Sequence, residues 1–142
     1  MIHTKEKMIP FEFIVDGPPV SQQTRNRARL QEWKTIVKSA AQLYWSRAES
    51  PSDQRLKLSI TYFYDSTSPD VDNIIKPIQD SLIGLVYIDD EQIVDTACSK
   101  RDINGSFKVR GLSPVLAKGF SQENEFLFIK VEEAINLEEV PR

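Results

Sequence analysis

The sequence contains one cysteine, Cys98, and one histidine, His3. A lone cysteine forms no intrachain disulfide, and a Cys-based zinc site, which draws on several ligands, is excluded. His3 sits in a terminus expected to fray, which argues against a Ser-His-Asp triad, a His-based zinc site and a histidine general base. Any catalysis then falls to carboxylates and lysines. Long apolar runs are missing too: the longest, Ile83 to Ile88, is far short of the roughly 18 residues that span a bilayer. The first residues lack the charged-then-apolar pattern of a signal peptide, so a reducing cytoplasm is the expected location. With 18 Lys+Arg against 21 Asp+Glu the net charge is -3, which excludes a histone-like polycation held on DNA by bulk charge. A nucleic-acid site would have to be local.

What is present fits one globular domain over residues 1–142, of which 40% are apolar and 27% charged, with flexible tails expected at 1–8 and 136–142. Phe11 to Val15, mostly β-branched or aromatic, read as a strand stopped by Asp16-Gly17-Pro18-Pro19. Between Thr24 and Trp45, the residues Leu30, Trp33, Val37, Ala40, Ala41 and Tyr44 recur at the spacing of one amphipathic helix. Arg55 to Tyr64 alternates apolar with polar and reads as a half-buried strand. Beyond Pro69, the residues Val71, Ile74, Ile75, Ile78 and Leu82 form a helical stripe. Asp72, Lys76 and Asp80 lie four apart on another face, and Pro77 is expected to strain this helix.

That helix should end near Gly84. Gln92 to Lys100 reads as a strand, paired through Asn104-Gly105 with Phe107 to Val109 as a hairpin. Gly111 to Gly119 reads as loop and Glu125 to Glu132 as a last strand. The order strand-helix-strand-helix-strand-strand-strand predicts an α+β fold in two layers, a mixed β-sheet with two main helices on one sheet face.

The chemistry concentrates in Pro69-Asp70-Val71-Asp72-Asn73-Ile74-Ile75-Lys76 and Tyr87-Ile88-Asp89-Asp90-Glu91-Gln92. These are two carboxylate clusters joined by a helix. Oxygen ligands with no His or Cys nearby favour a hard cation, Mg²⁺ or Mn²⁺, as phosphodiester hydrolysis requires. Lys76, one helical turn from Asp72, would add a fixed positive charge beside the phosphate. The same residues admit a plainer reading. Asp70 or Asp72 would cap the helix, Asp89-Asp90 would form a solvated turn, and Lys76 would make a surface pair with Asp72 or Asp80.

Asp70-x-Asp72-Asn73-x-x-Lys76, followed by Gly84 and by Asp89-Asp90-x-Gln92, resembles the RusA family of Holliday-junction resolvases. Gly17-Pro18-Pro19-Val20-Ser21, the helix after it and the chain length are similar as well, so the resemblance spans most of residues 10–132. It implies a homodimeric, Mg²⁺-dependent endonuclease that binds four-way DNA junctions and nicks paired strands symmetrically in recombination and repair. It also places the essential acidic positions on Asp70, Asp72 and Asp90, beside Asp89, and the catalytic lysine on Lys76. The competing reading is a non-catalytic protein that binds branched nucleic acid and has kept the fold. A nuclease acting on another branched or flap substrate is a third.

Between Gly17 and Arg47, six basic residues (Arg25, Arg27, Arg29, Lys34, Lys38 and Arg47) face the single acid Glu32, a net charge of +5. Such a cluster suits phosphate contacts, although a solvated basic helix face would look the same. Lys100, Arg101, Lys108 and Arg110 form a second candidate DNA surface, which strand alternation would split between two faces. Trp33 and Trp45 are expected in the core rather than as base-stacking platforms.

Overall fold

The computed structural model describes residues 8–65, 73–135, 137–138 and 140. Its centre is a four-stranded mixed sheet in the order β1-β4-β2-β3. The strands are β1 (Phe11–Asp16), β2 (Leu56–Tyr64), β3 (Ile93–Asp102) and β4 (Phe126–Glu133). β4 runs antiparallel to both β1 and β2, whereas β3 runs parallel to β2. A parallel neighbour cannot be reached by a tight turn, and helix α2 (Ile75–Ser81) supplies the crossover.

Alternation along the strands assigns the faces. Phe13, Val15, Leu58, Ile60, Tyr62, Leu127 and Ile129 point to one side, where helix α1 (Arg27–Gln42) lays Leu30, Trp33, Val37 and Ala41 over them. Asn26 caps α1, its side-chain oxygen accepting from Arg29 N at 3.0 Å. Ile78 and Leu82 extend this core beneath α2, and Trp45 closes it against Phe11. Both tryptophans are core residues, as expected.

The α+β class and the mixed sheet match the expectation, and the differences lie after β3. Phe107 to Val109 form no strand, and β3 pairs with β2 rather than with a hairpin partner. Phe107 packs instead into an aromatic cluster with Phe63 and Phe120, where its ring is partly buried. The segment read as loop from Gly111 to Gly119 holds a third helix, α3 (Pro114–Ser121). Ser113 caps it, with Oγ accepting from Leu116 N at 3.2 Å, and Pro114 occupies its first turn, where no backbone donor is needed.

Helix α3 packs Leu116 against Ile14, Phe63 and Phe126 on the sheet face opposite α1. The helices therefore flank the sheet on both sides. Gly119 is required there, because a Cβ at this position would stand 2.3 Å from a Phe126 ring carbon.

Candidate active site and nucleic-acid interface

Helix α2 runs from Ile75 to Ser81, and Val71, at the head of the apolar stripe, lies outside the described residues. Pro77 falls in its first turn, where a missing N–H costs no helical bond, and the proline is buried. Ser81 Oγ donates to Pro77 O at 2.6 Å, and the helix stops before Gly84, whose φ of 85° favours glycine. Gly84 N then donates to Tyr87 O at 2.7 Å, turning the chain back so that Tyr87 OH donates to Gln79 O on α2.

The acidic corner that follows is a short 3-10 turn, Asp90–Gln92, built on a capping box. Asp89 Oδ1 accepts from Glu91 N at 3.2 Å, while Gln92 Oε1 accepts from Ile88 N at 2.8 Å and Asp89 N at 2.9 Å. Gln92 Nε2 donates to Ser52 O at 2.7 Å and Gln54 O at 2.8 Å, fastening the corner to the chain that leads into β2. The Gln in Asp-Asp-x-Gln is thus an architectural residue that presents the Asp before it.

Docking of α2 against this corner brings Lys76 and Asp90 together from positions 14 apart, with Nζ 3.3 Å from Asp90 Oδ2. Lys76 Nζ also donates to Asp80 Oδ1 at 2.8 Å, and Asp80 Oδ2 lies 3.7 Å from Lys34 Nζ on α1. The result is a row of alternating charge, Lys34, Asp80, Lys76, Asp90, across three elements. Hydrogen bonding to Asp80, and then to Asp90, raises the Lys76 ammonium above its ordinary pKa, so it stays charged. The Asp90 carboxyl is held below the usual carboxylate range by hydrogen bonding with Asp89 and then with Lys76.

Asp70 and Asp72 lie outside the described residues. Among the described residues, no three His, Cys, Asp or Glu side chains stand together as a ligand set. Asp89 and Asp90 nevertheless offer only oxygen donors at a solvent-accessible corner, which suits a hard cation completed by further carboxylates. Sequence reasoning left Asp80 out of the site, although its i,i+4 spacing from Lys76 was visible. Lys34 was assigned to DNA, and nothing in its local sequence signals the contact with α2.

Arg25, Arg27 and Arg29 are exposed around the start of α1. Arg27 Nη1 donates to Gln22 O at 3.2 Å, and Gln22 N donates to Asn73 O at 2.8 Å. The basic entry to α1 is therefore tied to the residue directly after Asp72. Lys34 is less available, with its side chain 23% exposed and its ammonium turned to Asp80. Lys100 and Arg101 pair with Tyr62 and Phe63 near the far end of β3, on opposite sheet faces, on the order of 20 Å along the strand from the acidic corner. They stand beside the part of β2 that leads toward Asp70.

Comparison with known proteins bears on this geometry. A 35-residue stretch is 51% identical to "Uncharacterized protein YqaN" of Bacillus subtilis (strain 168), covering 25% of this chain and 25% of that protein. Residues 17–110, well over half of the chain, match the family described as "Endodeoxyribonuclease RusA". The matched residues contain both acidic clusters, Lys76, Gln92 and the basic start of α1, and the chain belongs to the RusA endodeoxyribonuclease family.

Proposed function

We propose that this protein is a metal-dependent endodeoxyribonuclease that resolves four-way DNA junctions by paired symmetric nicks, working as a homodimer with one active site per strand cut. The observation that carries the reading is the contact of Lys76 with Asp90, which joins the two motif halves at one place. Asp70, Asp72 and Asp90, with Asp89 beside them, would hold Mg²⁺, with Mn²⁺ able to substitute. When bound, the ion supplies a low-pKa water as nucleophile and neutralises charge on the phosphate.

The chain's own residues do the rest. Lys76 is a fixed cation at the corner, placed to balance charge that develops on phosphate oxygens. Arg25, Arg27 and Arg29 set the DNA backbone against the loop held to Asn73, and Lys100 and Arg101 flank that path, whereas the Lys34 ammonium is engaged by Asp80. Gln92 keeps the Asp89-Asp90 corner from drifting relative to β2. A cytoplasmic location goes with this reading.

The test is cleavage of a labelled four-way junction beside a linear duplex of the same sequence, with Mg²⁺ or EDTA, by wild type and Asp72→Asn. Paired symmetric nicks that require both Mg²⁺ and Asp72 are expected. Tight junction binding without any Mg²⁺-dependent cutting would replace this reading with a non-catalytic junction-binding protein. Preferential cutting of flaps would move the substrate while keeping the chemistry.

A further inference from the structure

Lys76 has two carboxylate partners, and they differ in kind. Asp90 belongs to the corner expected to ligate metal, so its oxygens have another claimant. Asp80 does not: it sits one turn along the same short helix, at 2.8 Å from Lys76 Nζ, and its other oxygen faces Lys34 of α1 at 3.7 Å. Its side chain is only 23% exposed, against 49% for Lys76. A lysine has a long flexible stem and a point charge that many rotamers can present, so something must select one position. Helix α2 is itself locked to the corner through Tyr87 OH on Gln79 O and Gln79 Nε2 on Asp90 O at 3.4 Å. Asp80 therefore offers Lys76 a platform that stays in place when Asp90 is engaged elsewhere.

We infer that Asp80 is a positioning residue for Lys76, braced from behind by Lys34, and that it holds the ammonium at the reaction site while Asp90 serves the metal. This inference rests on the nuclease reading above. Lys34, on this account, acts through Asp80 rather than on DNA phosphate, and the i,i+4 pair on α2 is part of the catalytic apparatus rather than surface decoration.

The test uses the full-length protein, Mg²⁺ and the four-way junction, with single-turnover cleavage rates measured separately from junction affinity in Ca²⁺. Asp80→Asn keeps the shape and removes the charge. Its rate should fall about 10- to 100-fold, the cost of a misplaced catalytic group, with affinity unchanged. Asp80→Glu should recover most of that loss. A double-mutant cycle separates positioning from stability: Lys76→Met with Asp80→Asn should cut no more slowly than Lys76→Met alone. Thermal melting checks each variant, and Asp80→Ser serves as a second neutral variant if the Asn substitution does not fold. A wild-type rate in a folded neutral variant, or a double mutant slower by the full Asp80 factor, would overturn the inference while leaving the nuclease reading intact. A wild-type protein that never cuts would remove both.

Discussion

Two buried phenols tie the sheet to its loops. Tyr87 donates to Gln79 O beneath the acidic corner, and Tyr62 donates to Glu125 Oε1 at 3.1 Å at the other end of the sheet. Glu125 Oε2 also accepts from Asp65 N at 3.1 Å, which anchors the end of β2 just before the segment carrying Asp70 and Asp72. Burial raises both phenol pKa values, reinforced by Asp80 and Asp90 around Tyr87 and by Glu125 and Asp65 around Tyr62. A raised folded-state pKa means that the stabilising difference is complete below the unfolded value. It is lost as pH climbs, because the unfolded phenol ionises near pH 10 while the folded one resists. Unfolding free energy measured in urea should therefore be level from pH 8 to 9 and decline above about pH 10. Tyr62→Phe should flatten that decline. An unchanged slope in the variant would assign alkaline unfolding to other groups.

At the scale of elements, α3 shows how a helix can hide in a loop-like stretch. Gly111, Pro114 and Gly119 read as breakers, yet Ser113-Pro114 is a cap followed by a first-turn proline, and Gly119 marks close approach. In Gly119→Ala, the usual helical gain of about 1 kcal/mol competes with a Cβ placed against three Phe126 ring carbons at 2.3–2.8 Å. Overpacking of this kind costs about 1–3 kcal/mol. Phe126 is fully buried and stacked on Phe63, so the ring has no free direction to move. The variant should be destabilised by up to about 2 kcal/mol, read as a lower urea midpoint with an unchanged m-value. An equal or higher midpoint would show that the α3 layer yields easily.

The whole molecule sets a local positive surface against a negative background. Net charge is -3, yet the stretch around α1 holds six basic residues against one acid. Phosphate contacts release counterions, each adding about 0.9 to the slope of log affinity against log salt. Arg25→Gln with Arg29→Gln should weaken junction binding at every salt concentration and flatten that slope by about 2, measured by fluorescence anisotropy across a KCl series. Both arginines are exposed, so their loss leaves the core intact. An unaltered slope would move the DNA path to Lys100 and Arg101.

Periodicity carried most of this protein. Alternation located β2, runs of β-branched and aromatic residues located β1 and β4, and the Leu30-Trp33-Val37-Ala41 stripe located α1 and its buried face. These patterns are local, since a half-buried strand or helix must write its two environments into alternating residue types. The motif around Lys76 and Asp90 was legible from residue types at fixed spacing within one short stretch of chain. The partner of β3 was not, because β3 buries none of its residues fully and so carries no face signal. Phe107 instead joins Phe63 and Phe120, a contact between residues far apart in the chain that no local pattern signals. The same holds at the site. The sequence alone determined that carboxylates and a lysine are the available chemistry. Only the packing of α1 against α2 and of α2 against the corner decided that Lys34, Asp80, Lys76 and Asp90 stand in one row, because charge pairing across elements depends on distance in space and leaves no period in the chain.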